Sequence, residues 1–307
     1  KFSLAPVAKR LSELLGKPVK MAADVIGDSA KALTSEMQPG EIVMLENVRF
    51  HKEEEENDDK FAIDLAELAD VYVDDAFGCA HRAHASTAGV ACHLPSAVGF
   101  LMSSELVALN KVANNPEPPF VVILGGAKVS DKIGVISKLL TKANCILIGG
   151  AMANTFIAAL GGNLGFSRFE KDKIEVAKKI LEEAEKRNVK IVLPVDCIAG
   201  SEFAPDAKIK KVDAYRVPDG YQSLDIGPRT CRLFAKEIKK AKTIVWNDPM
   251  GVCEFKRFQK GTKAVAKAVA KSKAMSVIGG GDSGVAKTEI GYLKKVTHNS
   301  NCGGATH

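Results

Sequence analysis

The chemistry-bearing stretch is Gly125-Gly126-Ala127-Lys128-Val129-Ser130-Asp131-Lys132, in which two glycines precede two lysines set four positions apart. Glycine allows a sharp turn and lets a ligand approach the backbone. If a helix begins here, both ammonium groups share one face, and its unpaired N–H groups and dipole favour an anion in the same space. That describes a phosphate cradle, although not a Walker loop, whose G-x-x-x-x-G-K-[ST] spacing is absent. The same residues also fit a plainer reading, a buried strand and a βα turn with two solvated lysines. Similar ends recur at Gly149-Gly150-Ala151-Met152, Pro194-Val195-Asp196, Asn247-Asp248-Pro249-Met250-Gly251 and Gly279-Gly280-Gly281-Asp282-Ser283.

Strands must carry these turns. The apolar, β-branched run 121–124 reads as a strand buried on both faces, and 145–148, 190–194, 243–246 and 274–278 read as further strands. Helical runs such as 171–187 and 261–271 lie between them. Alternation of this kind predicts a parallel, doubly wound sheet with all the Gly-rich turns at one edge, which is a nucleotide-binding arrangement. A dinucleotide fold would require a G-x-G-x-x-G turn followed by an acidic residue about 20 positions on, and that combination is absent.

Before this region, 17–21, 41–45 and 71–73 read as strands, and 28–35 as helix or loop. Ser3 is placed to cap a first helix with Leu4, Val7, Leu11, Leu14 and Leu15 on its apolar face. The acidic run 53–59 reads as a solvated helix start. Residues 103–114 form a serine-capped helix, which Asn115-Pro116-Glu117-Pro118-Pro119 breaks at the best candidate domain boundary.

The bulk numbers exclude several classes. At 307 residues the chain has room for two domains. Its +6 charge, from 43 basic and 37 acidic residues, is scattered without aromatic interleaving, which does not suggest nucleic-acid binding but suits small anionic substrates. Seven cysteines with no C-x-x-C pair argue against a disulfide framework or a zinc site and for reduced thiols in the cytoplasm. No apolar run approaches membrane-spanning length and no signal peptide is visible. The chain starts in mid-pattern without an initiator Met, as a fragment would.

Five motifs, in order, resemble the phosphoglycerate kinase family: Leu45-Glu46-Asn47-Val48-Arg49-Phe50; Asp74-Asp75-Ala76-Phe77-Gly78-Cys79-Ala80-His81-Arg82-Ala83-His84; Gly125 to Lys132; Trp246-Asn247-Asp248-Pro249-Met250-Gly251-Val252-Cys253-Glu254; and the GGGDS run 279–283. The resemblance implies phosphoryl transfer from 1,3-bisphosphoglycerate to Mg-ADP in glycolysis. It implies two doubly wound domains joined by a hinge helix, with a hinge that closes the cleft between them: a partial phosphoglycerate-binding domain at 1–102, an interdomain helix and linker at 103–119, and a nucleotide-binding domain at 120–307. Arg49 and Arg82 match the arginines that hold phosphoglycerate, and guanidinium forks suit phosphate and carboxylate. His81 and His84 read as structural or hydrogen-bonding residues. Lys128 matches the lysine that accompanies the transferring phosphoryl group, and Lys128, Arg49 and Gly303 are the implied catalytic set. Lys132 matches a nucleotide-phosphate contact, Gly149 and Gly150 the adenine side, Glu254 the ribose acceptor, and Asn247 and Pro249 the same pocket. Asp282 matches the acid that holds Mg2+ with the nucleotide, and Gly280, Gly281 and Ser283 its phosphate neighbours. A monomer acting on small molecules is implied, with no nucleic-acid or membrane partner.

The motifs also show departures. Asp248 and Ser223, both near the nucleotide, stand where the family usually has glycine. The turn at 300–306, Ser-Asn-Cys-Gly-Gly-Ala-Thr, carries Asn301 and Cys302 in place of Thr and Gly. Roughly two βαβ units at the start and the C-terminal helix and returning segment have no counterpart, so a chain truncated at both ends, with its first domain incomplete, is expected. A catalytically silent nucleotide-binding fragment of the family is the alternative reading.

Overall fold

The computed structural model describes residues 1–279 and 297–300. The chain forms two compact units, Lys1–Ser104 and Glu105–His307.

The first unit contains helices α1 (Ala5–Leu15), α2 (Asp28–Ser35), α3 (Lys52–Glu56) and α4 (Asp59–Ala66), and strands β1 (Val19–Met21), β2 (Ile42–Met44), β3 (Tyr72–Asp74) and β4 (Ser96–Val98). The pairs β1–β2 and β3–β4 are both parallel. Val25, Phe61, Ala62 and Ala85 form its core. Two expectations are corrected here. Glu54, in the acidic run, is buried rather than solvated, because its carboxylate accepts the N–H and hydroxyl of Ser86 at 2.8 and 2.6 Å. Leu4 rather than Ser3 stands at the N-cap of the first helix, and Glu46 takes both the Ser3 hydroxyl (2.6 Å) and the N–H of Leu4 (2.8 Å).

Helix α5 runs over Phe100–Asn114. It starts three residues before the predicted serine cap, because Asp75 reaches over to accept the Met102 N–H at 2.9 Å. A distant carboxylate does the work expected of Ser103.

The second unit is built on β5 (Phe120–Leu124), buried along its whole length. Around it lie α6 (Ile133–Leu139), β6 (Cys145–Ile148), α7 (Gly150–Ala159), α8 (Ile174–Lys186), β7 (Lys190–Val192), β8 (Asp196–Gly200), β9 (Ile209–Asp213), β10 (Gln222–Ile226), α9 (Pro228–Lys240), β11 (Thr243–Asn247), α10 (Lys260–Lys271), β12 (Met275–Gly279) and β13 (His298–Asn299). The main sheet is parallel, in the order β13-β12-β11-β5-β6-β7.

Alternation along β5 makes the unit doubly wound. Val122 and Leu124 join Ile136, Met152, Phe156 and Ile180, from α6, α7 and α8. Val121 and Ile123 join Phe234, Ile238, Val265 and Val269, from α9 and α10. Helix α9 buries Thr230, Phe234 and Ile238, spaced four apart, as an amphipathic helix must.

Two predicted elements change. The helix expected over 171–187 opens as a single 3-10 turn, Lys171–Lys173, before α8. The strand expected over 190–194 stops at Val192, and an antiparallel sheet of order β10-β8-β9 follows. Pro194 cannot continue a ladder, so the chain leaves the main sheet there. In β9 the lysines at 210 and 211 hide any apolar run.

Candidate functional site

The strand ends of the second unit converge as a parallel sheet requires. Asn247, the last residue of β11, sits in register with Leu124 on one side and Gly279 on the other. The loops beyond are stitched backbone to backbone. Gly125 N–H donates to Asn247 O (2.8 Å), Gly126 N–H to Pro249 O (3.2 Å), and Gly150 N–H to Met250 O (3.1 Å). Glycine is obligatory at two of these points. A Cβ on Gly125 would lie 2.0 Å from the Pro249 carbonyl oxygen. Gly150 has φ +66°, and a Cβ there would lie 2.4 Å from the Gly126 carbonyl oxygen.

A cleft of about 540 Å³ opens beside these turns. Gly126, Ala127, Gly150, Pro249 and Glu254 line one part, and Ser223, Leu224 and Asp225 of β10 line another. Of the sequence-predicted nucleotide residues, Gly150, Ser223, Pro249 and Glu254 therefore meet on one wall system, and Glu254 is exposed there. Gly149 lies behind it, packed on Met250.

The lysine pair differs from expectation. Lys128 is exposed in the turn, whereas Lys132 is buried, and α6 begins only at Ile133. The two do not share a helical face, because a 3-10 turn, Ser130–Lys132, intervenes. The N–H groups expected to face an anion are also taken. Glu170 accepts those of Val129 and Ser130, together with the Ser130 hydroxyl. Burial pushes the Glu170 carboxyl up, but these three hydrogen bonds outweigh it and hold the group below the usual carboxylate range. Lys132 donates to the Asn247 side chain and pairs with Asp248 at 2.7 Å.

The sequence reading missed Asn154, Asp225 and Glu170. Asn154 lines the cleft and donates to the Arg168 carbonyl at 3.0 Å. Asp225 accepts the N–H groups of Gly261 (2.8 Å) and Ile226 (2.9 Å), and burial nevertheless pushes its carboxyl up to about 8. A usable signal was present: Asp225-Ile226 followed by Gly227-Pro228 marks a strand end and a proline-led helix start. Cys197, also on the cleft wall, is pushed up to about 11 by burial, which leaves it a poor nucleophile.

The arginine pair lies in the first unit. Arg49 occupies a 3-10 turn, Val48–Phe50, where the Asn47 side chain accepts its backbone N–H at 3.0 Å. Its guanidinium is exposed, 3.8 Å from Glu55. Arg82 is exposed, with Nε 3.2 Å from His81 Nε2. His84 is buried, its Nδ1 3.6 Å from Glu54. Gly280, Gly281, Asp282, Ser283, Asn301, Cys302 and Gly303 lie outside the described residues.

The profile of the phosphoglycerate kinase family matches residues 1–307. The phosphoglycerate kinase of Pelotomaculum thermopropionicum is 51% identical over 306 residues, covering 100% of this chain and 78% of its own. That of Clostridium tetani is 50% identical over 308 residues, covering 99% and 77%. The solved phosphoglycerate kinase of Coxiella burnetii superposes with a TM-score of 0.86 at 40% identity, over 99% of this chain and 77% of that one. The enzyme of Pyrococcus horikoshii gives 0.87 at 34%, over 99% and 78%. A whole-length profile match and relatives at half identity agree with the doubly wound sheet, and the chain belongs to the phosphoglycerate kinase family.

Proposed function

We propose that the cleft between the Gly126–Gly150 floor and Ser223 receives the nucleotide of this family's reaction, and that Arg49 and Arg82 hold phosphoglycerate. The reaction itself is that of the family: the chain transfers the acyl phosphate of 1,3-bisphosphoglycerate to ADP, reversibly. Convergence of Gly150, Ser223, Pro249 and Glu254 on one cleft carries the nucleotide assignment. In the ribose role, Glu254 accepts hydroxyl hydrogens with an ionised carboxylate.

During transfer the bond from phosphorus to the acyl oxygen breaks, and a β-phosphate oxygen of ADP bonds to the same phosphorus. The 3-phosphoglycerate leaves as a carboxylate. Nucleophile and leaving group are both ionised, so no proton moves and no general base is needed. The buried His84 and the Arg82-bound His81 fit that economy. Catalysis then rests on position and charge. Lys128, exposed in the turn, is free to follow the migrating phosphoryl group, with Arg49 and Gly303 completing the assigned set.

The family uses Mg-nucleotide. Magnesium takes one or two carboxylates and fills its remaining positions with water and phosphate oxygens. Asp282, three positions after β12 ends at Gly279, is the assigned protein ligand, with Gly280, Gly281 and Ser283 near the phosphates. The ion, when bound, neutralises phosphate charge. We also assign residues 1–102 to phosphoglycerate, 103–119 to a linker and 120–307 to nucleotide, and read the protein as a cytoplasmic monomer. No helix of the described residues is long and apolar enough to cross a membrane.

Calorimetric titration with ADP tests the cleft. Glu254→Ala is expected to weaken binding by about tenfold, as loss of a charged hydrogen-bond partner does. Unchanged affinity would remove the nucleotide from this cleft.

A further inference from the structure

The ion pair between Lys132 and Asp248 is unusual in three respects. The Lys132 side chain is only 5% exposed, whereas Asp248 is 29% exposed. Asp248 has φ +64°, a left-handed conformation that costs a non-glycine residue energy, although aspartate tolerates it better than most. Its carboxylate also lies where a Cβ on Gly126 would come within 3.1 Å, so it hangs over the glycine turn that floors the cleft. Neither partner lines the cleft, but both belong to the loops that do.

We propose that Asp248 is a built-in competitor for the nucleotide's phosphates at Lys132: its carboxylate holds the ammonium in the free protein, and a bound diphosphate takes its place. This rests on the assignment of Lys132 to nucleotide phosphate. A buried ammonium needs an anionic partner at all times, because leaving it unpaired is costly. Asp248 supplies one, and a phosphate, with more charge and more acceptor oxygens, is a better one. The displaced carboxylate is already partly in water and turns outward at little desolvation cost. The Asn247 side chain, itself tied to the Gly279 carbonyl, keeps its bond to Lys132 throughout and holds the ammonium in place for the exchange.

Glu170 shows the contrast. It is also an internal anion on this turn, but it is fixed by three hydrogen bonds from Val129 and Ser130. Asp248 is held to Lys132 by a single ion pair, so it is the carboxylate that an incoming anion can move. A consequence is selectivity: a neutral nucleoside cannot displace Asp248, and only a phosphorylated one gains Lys132.

The test is calorimetric titration of the full chain with ADP and, separately, with adenosine. The proteins are wild type, Asp248→Asn, Lys132→Met and the double variant. Asparagine also accepts the left-handed backbone, so Asp248→Asn removes charge and little else. It is expected to tighten ADP by roughly three- to tenfold, on the scale of close charge-pair couplings, and to leave adenosine unchanged. Lys132→Met is expected to weaken ADP, and adding Asp248→Asn to it should give no gain, because the competition acts through that lysine. ADP affinity that is unchanged or weaker in Asp248→Asn overturns the proposal and makes the pair a strut between loops. A gain that persists without Lys132 also overturns it. If Lys132→Met binds ADP as well as wild type does, the assignment of Lys132 to phosphate fails, and the proposal with it. If Lys132→Met does not fold, Asp248→Asn decides alone by the same criterion.

Discussion

Glu170 and Ser130 are joined twice, through the Ser130 hydroxyl at 2.5 Å and its backbone N–H at 3.1 Å, across 40 positions of sequence. A third bond, from the Val129 N–H at 2.5 Å, completes a cap that neither residue's neighbours could supply. Glu170→Ala leaves two N–H groups and a hydroxyl at the start of this turn without their partner. The expected cost is about 2 kcal/mol, read as a lower urea midpoint. The sign with pH follows from the lowered carboxyl. Its contribution is present above the ordinary carboxylate range and is lost as pH falls through the depressed value. The gap between wild type and variant should therefore be full at pH 7 and close as acid is added. A gap that widens in acid would contradict this.

Asp225 behaves in the opposite sense. Burial raises its carboxyl to about 8, so at neutral pH folding favours the protonated form. A raised carboxyl contributes fully below the unfolded value, about pH 4, and the contribution is lost as pH rises through about 8. Wild type is expected to lose stability between pH 5 and 9, and Asp225→Asn to show a flatter profile over that range. Equal slopes in urea unfolding would refute the assignment.

Gly150 joins a left-handed backbone to a contact with the Gly126 carbonyl. Gly150→Ala must relieve both, and an expected loss of about 2–4 kcal/mol follows from strain plus the displaced turn. ADP binding should fall with it, since Gly126 and Gly150 floor the same cleft. Thermal unfolding and ADP titration together check this.

Arg82→Ala and Arg49→Ala are expected to raise KM for phosphoglycerate by about tenfold or more, through loss of a charge-assisted pair. Neither guanidinium supports a buried element, so melting temperature should move little. A lowered melting temperature with unchanged KM would reassign the arginine to structure.

Much of the second unit could be read from the sequence because its strands are short, continuous and β-branched. The continuous run 121–124 announces burial on both faces, and the glycines or polar residues that end the strands announce the turns. What could not be read was set by residues far apart in the chain. Glu170 capping the turn at Ser130, Asp75 starting α5, and Lys132 turning inward toward Asp248 are all tertiary choices with no local pattern. The β8–β10 sheet escaped for another reason: its strands are half polar and one follows a proline. Half of the cleft wall therefore came from a region with no readable periodicity; Glu254 and Ser223 were named through the family resemblance alone, and Asp225 was overlooked.

The allotment of β5 side chains to opposite helix layers has a mechanical corollary. Deleting or inserting one residue in that strand would exchange the two layers' contents while leaving every side chain in an oily setting, so burial alone would barely register the error. The damage would show in aim instead. Each residue of strand spans about 3.3 Å, and the glycine turn and its lysines would be displaced that far along the strand axis. Reading-frame fidelity in this one strand thus calibrates where the positive charge is delivered.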